Sequence, residues 1–178
     1  MFQLLYDPLG EIKKARHQQF GKILLYLVTA SLFYTVGLLF FAWRYFPERL
    51  TPPMIANGIL LALFGIMTVV LLASFFFALA FHVLDGKGGY YEGLAMTVLA
   101  LVPEAVFTFF AGALTFAPMG IYVGLALLAY GWVLAFAIFF RAGKELFELD
   151  YAGVFAGFVA TLVPLVFVGV LGWLLYGL

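Results

Sequence analysis

The 178-residue chain is 66% hydrophobic and only 10% Asp, Glu, Lys and Arg, against about 25% charged residues in a soluble domain, so it has too little polar surface to clothe a water-soluble core. Nine basic and nine acidic residues cancel to a formal net charge of zero, which argues against nucleic acid as a partner. The absence of cysteine excludes disulfides and thiolate metal sites.

Residues 1–21 lack the basic start of a signal peptide and delay the first long apolar run to about Ile23. The N-terminus is therefore expected to stay attached. Asp7-Pro8 has the form of a helix start, a capping acid followed by proline at the first helical position. The helix after it sets Leu9, Ile12 and Phe20 against Lys13, Lys14 and Arg16, the pattern of a short amphipathic helix lying on the cytoplasmic leaflet. An interfacial anchor is the simpler reading, and regulated lipid sensing is the other.

A membrane span needs roughly 20 mostly apolar residues, and the charges and turn residues cut the chain into five such segments, at about 22–43, 54–81, 93–115, 119–140 and 152–176. With no water to satisfy the backbone, each is predicted to be helical. The expected fold is an all-α polytopic membrane bundle of five helices, one membrane domain over residues 1–178. The second span exceeds the required length and should tilt or protrude. Between the third and fourth spans the break at Thr115 to Gly120 is short and uncharged, which predicts a tight antiparallel hairpin.

Lys and Arg set the direction. With the N-terminus in the cytoplasm, that side receives Lys13, Lys14, Arg16, Lys22, Lys87, Arg141 and Lys144, and the far side only Arg44 and Arg49. Seven against two favours N-in, C-out in a cell (inner) membrane. Aromatic anchors agree: Trp43, Tyr45, Trp173 and Tyr176 fall at outer ends, Tyr90, Tyr91 and Tyr151 at inner ends.

A shift of 61 residues superposes Tyr90 on Tyr151, Ala95 on Ala156, Val98 on Val159, Leu101 on Leu162, Val102 on Val163 and Pro103 on Pro164. The chain thus reads as one helix plus two hairpins, 2–3 and 4–5, in parallel-repeat relation. Pro103 and Pro164 remove the donors that would pair with the carbonyls of Leu99 and Ala160, so helix bends are expected there, either as fixed packing features or as hinges. Ala152, Ala156 and Ala160, beside Gly153 and Gly157, form a small-residue stripe that predicts close helix contact, with Gly120 and Gly124 a weaker patch in the fourth span.

Glu104, one residue after Pro103, lies near the centre of the third span. An ionised acid at that depth costs about 2.5–3.5 kcal/mol on insertion scales, so it should be neutral, paired or wetted. Reflection through the middle of the 3–4 turn lands on Tyr130 at the same depth, and Tyr130 is the predicted partner. Tyr34, Thr35, Thr68 and Thr161 also fall near the midplane, with Thr108 one turn beyond Glu104. Structural glue and a proton or cation site are the two readings of this cluster.

Asp85-Gly86-Lys87-Gly88-Gly89 lacks phosphate-loop spacing and joins two spans, so a flexible cytoplasmic turn is expected. His17 and His82 are too isolated for a metal site, and residues 141–150 mix both signs as a solvated connector would. No catalytic residue set, cofactor site or metal site is legible, and the chain does not read as an enzyme.

LYDPLGEIKKA, DGKGGYYEG leading into LAMTVLALVPEAVF, and GWVLAFAIFFRAGKELFELDYAGVFAGFVATLVPLVF resemble the Yip family, the Ypt/Rab-interacting integral membrane proteins. Pro103 and Pro164 match that family's Leu-x-Pro positions. The resemblance implies five helices, a cytoplasmic N-terminus and an outward C-terminus, and a role linked in eukaryotes to vesicle trafficking and GTPase binding. About twenty residues precede the first span here, where eukaryotic members carry a long cytoplasmic region. This chain therefore looks like a short prokaryotic member, and GTPase binding is left in doubt. The expected function is that of a non-enzymatic membrane scaffold working through lipids, homo-oligomers or other membrane proteins. The alternative is a small oligomeric transporter or channel component with a proton or cation site at Glu104.

Overall fold

A computed structural model describes residues 7–15 and 20–176. Six α-helices follow one another: α1 Pro8–Ala15, α2 Phe20–Tyr45, α3 Pro52–Val83, α4 Tyr90–Leu114, α5 Gly120–Phe147 and α6 Tyr151–Tyr176, with a 3-10 turn at Pro47–Arg49 between α2 and α3. Helices α2, α3, α4 and α5 are each long and apolar enough to cross a membrane. The 32 residues of α3 extend about 48 Å at 1.5 Å per residue, well beyond the hydrocarbon thickness of about 30 Å.

Helix α4 is the centre. Two thirds of its most apolar stretch is buried, 67%, against at most 33% for the other three, and it packs most extensively on α5 and α2, then on α3. Leu94, Ala95, Met96, Val98, Leu99 and Val102 are buried over more than half of its circumference, and the remaining face, with Thr97, Leu101 and Glu104, is partly buried. Its neighbours instead leave large apolar side chains exposed, among them Leu61, Phe64, Val133 and Phe167, which suits lipid as the surrounding solvent.

The expected pairing of helices changes here. Helices α5 and α6, the second expected hairpin, pack on each other sparsely, and α6 packs mainly on α3. Along α6 the alanine stripe Ala152, Ala156, Ala160 is exposed, and the face that packs carries Val154, Gly157 and Thr161. A Cβ on Gly157 would collide with the Phe81 ring of α3. That fully buried ring also meets Phe147 edge-on at 4.8 Å. The stripe fails as an interface because a bulky partner, Phe81, selects the glycine beside it.

Glycine does allow close approach where α2 crosses α4. A Cβ on Gly37 would lie 2.7 Å from the Thr108 carbonyl, so the two backbones touch there. The turn between α4 and α5 is tight as expected: Ala117 N–H donates to the Leu114 carbonyl and Gly120 N–H to that of Ala117, both at 3.0 Å. Gly124 faces the Ala111 carbonyl across this hairpin, and Gly131 faces Phe107. Both prolines sit inside continuous helix, Pro103 in α4 and Pro164 in α6.

Local capping follows the sequence. Asp7 Oδ1 accepts the Gly10 N–H at 3.0 Å and starts α1, and Asp150 Oδ1 accepts the Gly153 N–H at 2.6 Å and starts α6. The connector before α6 is shorter than expected. Residues Arg141 to Phe147 continue α5, because Arg141 and Glu145 pair one turn apart at 2.8 Å while Ala142, Leu146 and Phe147 are buried on the opposite side. Only Glu148 to Asp150 remain as the loop, with Glu148 in the left-handed region at φ 57°.

The Gly-rich loop 84–89 is tied down. Lys87 N–H donates to the Phe147 carbonyl at 2.9 Å, Lys87 Nζ pairs with Glu148 at 2.8 Å, and a Cβ on Gly88 would meet the Phe147 ring. Beneath this end of the bundle α1 packs on α5 and α4, burying Ile12 and Ala15 while Lys13 and Lys14 stay exposed. Tyr91 Oη donates to the Ala15 carbonyl at 2.8 Å, so this tyrosine holds α1, whereas Tyr90 and Tyr151 are exposed at the same end. Phe20, expected on the buried face, is exposed. Arg16, His17 and the side chains of Leu9, Arg49, Trp173 and Tyr176 lie outside the described residues.

Candidate functional site

Glu104 lies 14 residues after Tyr90, the start of α4, and Tyr34 lies 14 residues after Phe20, the start of α2. Equal depth on adjacent helices brings them together: Tyr34 Oη donates to Glu104 Oε1 at 3.0 Å. Tyr130 is not the partner. Its ring stands exposed on α5 and meets Phe107 edge-on at 5.2 Å. Reflection through the turn gives depth correctly but ignores rotation about the helix axis, and the rotation of α5 carries Tyr130 to the outside.

The wider polar cluster also disperses. Thr108 is buried at the α2–α4 crossing. Thr161 is buried with its hydroxyl on the Gly157 carbonyl of its own helix at 2.8 Å. Thr68 is exposed on α3. The buried hydroxyls of Ser31 and Thr35 on α2 have no hydrogen-bond partner among the described residues. The intramembrane polar site is thus a pair, Glu104 with Tyr34.

Beside that pair lies a cavity of about 340 Å³ where α3, α4, α5 and α6 converge. It falls within the size range of small-molecule sites. Its wall is rich in aromatic rings, with Phe77, Trp132, Phe136, Phe139 and Phe158, and the α4 side presents Thr97, Ala100, Leu101 and Glu104 at one-turn intervals. Phe77 and Phe158 stack at 6.1 Å with planes 8° apart, and Phe139 meets Phe77 at 4.8 Å. The Thr97 hydroxyl is already engaged with the Gly93 carbonyl at 2.8 Å. Glu104 is therefore the polar group this wall offers to an occupant.

The cavity exists because α6 leans on α3 and leaves α5. Trp132, Phe136 and Leu162 both line it and are exposed, so it opens sideways, between α5 and α6, toward the surrounding lipid. Sequence reasoning found Glu104 but missed the cavity. The one available signal was the spacing of aromatic residues along α5 and α6 at 132, 136, 139 and 158, which is indistinguishable from ordinary lipid-facing pattern until the helices are placed.

Four membrane-length apolar helices, one of them the buried α4, with a carboxyl group inside the apolar layer, define a multi-pass α-helical membrane protein. Comparison with known protein families, with curated proteins and with solved structures gave no match.

Proposed function

We propose that this chain is a five-span membrane protein of the Yip type, non-enzymatic, N-in and C-out in a cell membrane, acting through contacts with lipids and other membrane proteins. Helix α6 supports the fifth span: its 26 residues carry no charge and extend about 39 Å. The basic residues Lys13, Lys14, Lys87, Arg141 and Lys144 gather at the end of the bundle where α1 sits, and α1, with Ile12 buried and its lysines outward, suits the cytoplasmic interface.

The observation that carries the reading is the side-opening aromatic cavity, whose wall matches an apolar or amphiphilic occupant arriving through the bilayer. Native mass spectrometry from nanodiscs tests it: the protein should retain phospholipid or amphiphile, and Ala135→Leu, which fills the cavity, should reduce the retained mass. Reporters on the two termini should read opposite sides of the membrane. Termini on one side, or release of the protein free of lipid with no change in Ala135→Leu, would overturn the reading.

The second reading, an oligomeric transporter or channel component with Glu104 as a proton or cation site, draws on the contact of Glu104 with that cavity. Glu104→Gln keeps the hydrogen-bond acceptor for Tyr34 and abolishes titration. Proton or cation flux in proteoliposomes that disappears in this variant would favour transport over the scaffold.

A further inference from the structure

Three properties of the cavity narrow the chemistry of its occupant, given the reading above that it is entered from the lipid. Its wall is aromatic and aliphatic, which takes a bulky apolar body. It holds a carboxyl group whose Oε1 is oriented by Tyr34. It offers no set of oxygen ligands, since the Thr97 hydroxyl is committed to Gly93, so a metal cation would have nothing to replace its water shell.

From these we propose that the cavity beside Glu104 binds a lipophilic cation, an onium or protonated amine on an apolar body, with the positive charge between Glu104 and the faces of the surrounding aromatic rings. Burial of the carboxylate is costly without a countercharge, and a cation supplies it. Aromatic faces attract the same charge, and Phe77, Trp132, Phe136, Phe139 and Phe158 line the wall. An anion of the same shape meets repulsion from Glu104 and from those faces.

A phospholipid headgroup is the wrong source for this charge. Glu104 is 14 residues from one end of α4 and 10 from the other, about 21 and 15 Å along the axis, too deep for a headgroup to reach from either leaflet. The occupant is a membrane-soluble cation that enters whole.

Tetraphenylphosphonium and tetraphenylborate have nearly the same shape and opposite charge. Binding of each to the full chain in detergent micelles, measured by titration calorimetry and corrected against protein-free micelles, tests the proposal. The phosphonium should bind about tenfold or more tighter than the borate, and Glu104→Gln should remove that preference. Ala135→Leu should weaken the phosphonium by filling the cavity while leaving Glu104 in place, which keeps the test valid if the Gln variant does not fold. Equal affinities for the two ions, or unchanged phosphonium binding in both variants, would overturn it. If the charge preference is absent while Ala135→Leu still lowers retained lipid, the cation proposal alone fails. Should both effects be absent, the cavity is not open to the membrane and the broader reading fails with it.

Discussion

Tyr34 and Glu104, seventy residues apart in sequence, are joined by a 3.0 Å hydrogen bond from the phenol to the carboxyl inside the apolar layer. The bond links the first membrane helix to the central one at matched depth, and it leaves Glu104 in the wall of the cavity. A carboxyl group in such surroundings needs a donor, and the tyrosine is held by its own helix in position to give one.

Tyr34→Phe should therefore destabilise the fold by about 1 kcal/mol, the scale of hydrogen bonds between membrane helices. Glu104→Gln should cost less, since the amide oxygen accepts the same bond. Unfolding in mixed micelles, run as a double-mutant cycle, should show coupling between the two positions. Additive effects would mean that the bond contributes nothing to stability.

Gly37 and Gly65 should respond oppositely to alanine. At Gly37 the new Cβ meets the Thr108 carbonyl at 2.7 Å, whereas at Gly65 nothing lies within 4 Å. Gly37→Ala should lower the midpoint of thermal unfolding by forcing α2 away from α4. Gly65→Ala should be neutral or stabilising by up to about 1 kcal/mol from helix propensity. A common response at both sites would contradict the close crossing.

Phe81 is fully buried, packs on Phe147 and seats the glycine of α6. Phe81→Ala should cost about 3–5 kcal/mol through the cavity it leaves. Because the lost ring seats Gly157 of α6, protease cleavage in the loop at Glu148 to Asp150 should accelerate before global unfolding. Wild-type cleavage rates in the variant would show that α6 is held by other contacts.

Lys14 should titrate high. Glu11 Oε1 accepts its ammonium at 3.1 Å, and that hydrogen bond, reinforced by the carboxylate charge, raises the lysine above its ordinary 10.5. The raised group contributes fully at pH values below the unfolded value and loses its contribution as pH rises through the higher folded one. An NMR titration of the Lys14 side chain should give a midpoint above 10.5, and Glu11→Gln should bring it down.

Removing the Lys87 side chain should matter little. Its ion pair with Glu148 is exposed, and such pairs contribute about 0–1 kcal/mol, while the backbone N–H that anchors the loop to Phe147 survives. Lys87→Ala should shift unfolding within that range, whereas Gly88→Val, which drives a side chain into the Phe147 ring, should be clearly destabilising.

Much of the architecture could be read from the chain because apolar length is a local property. The ends of α2, α3, α4 and α6 fall within about three residues of the expected spans, and Asp7 caps α1 where Asp7-Pro8 pointed. The end of α5 lies at Phe147, beyond the expected 140; Arg141 and Lys144 look like loop residues in sequence. In the fold Arg141 pairs with Glu145 and Tyr151 while their helix buries Leu146 and Phe147. The partner of Glu104 is Tyr34 and not Tyr130 for a different reason: depth follows from counting, but the face a helix presents depends on every neighbour it packs against.

By itself the sequence determined the solvent, since the cost of exposing this much apolar surface to water, or an unpaired backbone to lipid, leaves helices in a membrane as the stable arrangement. It determined which segments are helical and where the carboxyl group lies in depth. Only the tertiary structure decided that Tyr34 and not Tyr130 meets Glu104, that α6 rests on α3, and that an aromatic cavity opens between α5 and α6. Those outcomes depend on rotation and tilt, which are fixed by steric fit between whole helix faces, such as Phe81 against Gly157, and steric fit is a property of pairs of surfaces that no single stretch of sequence contains.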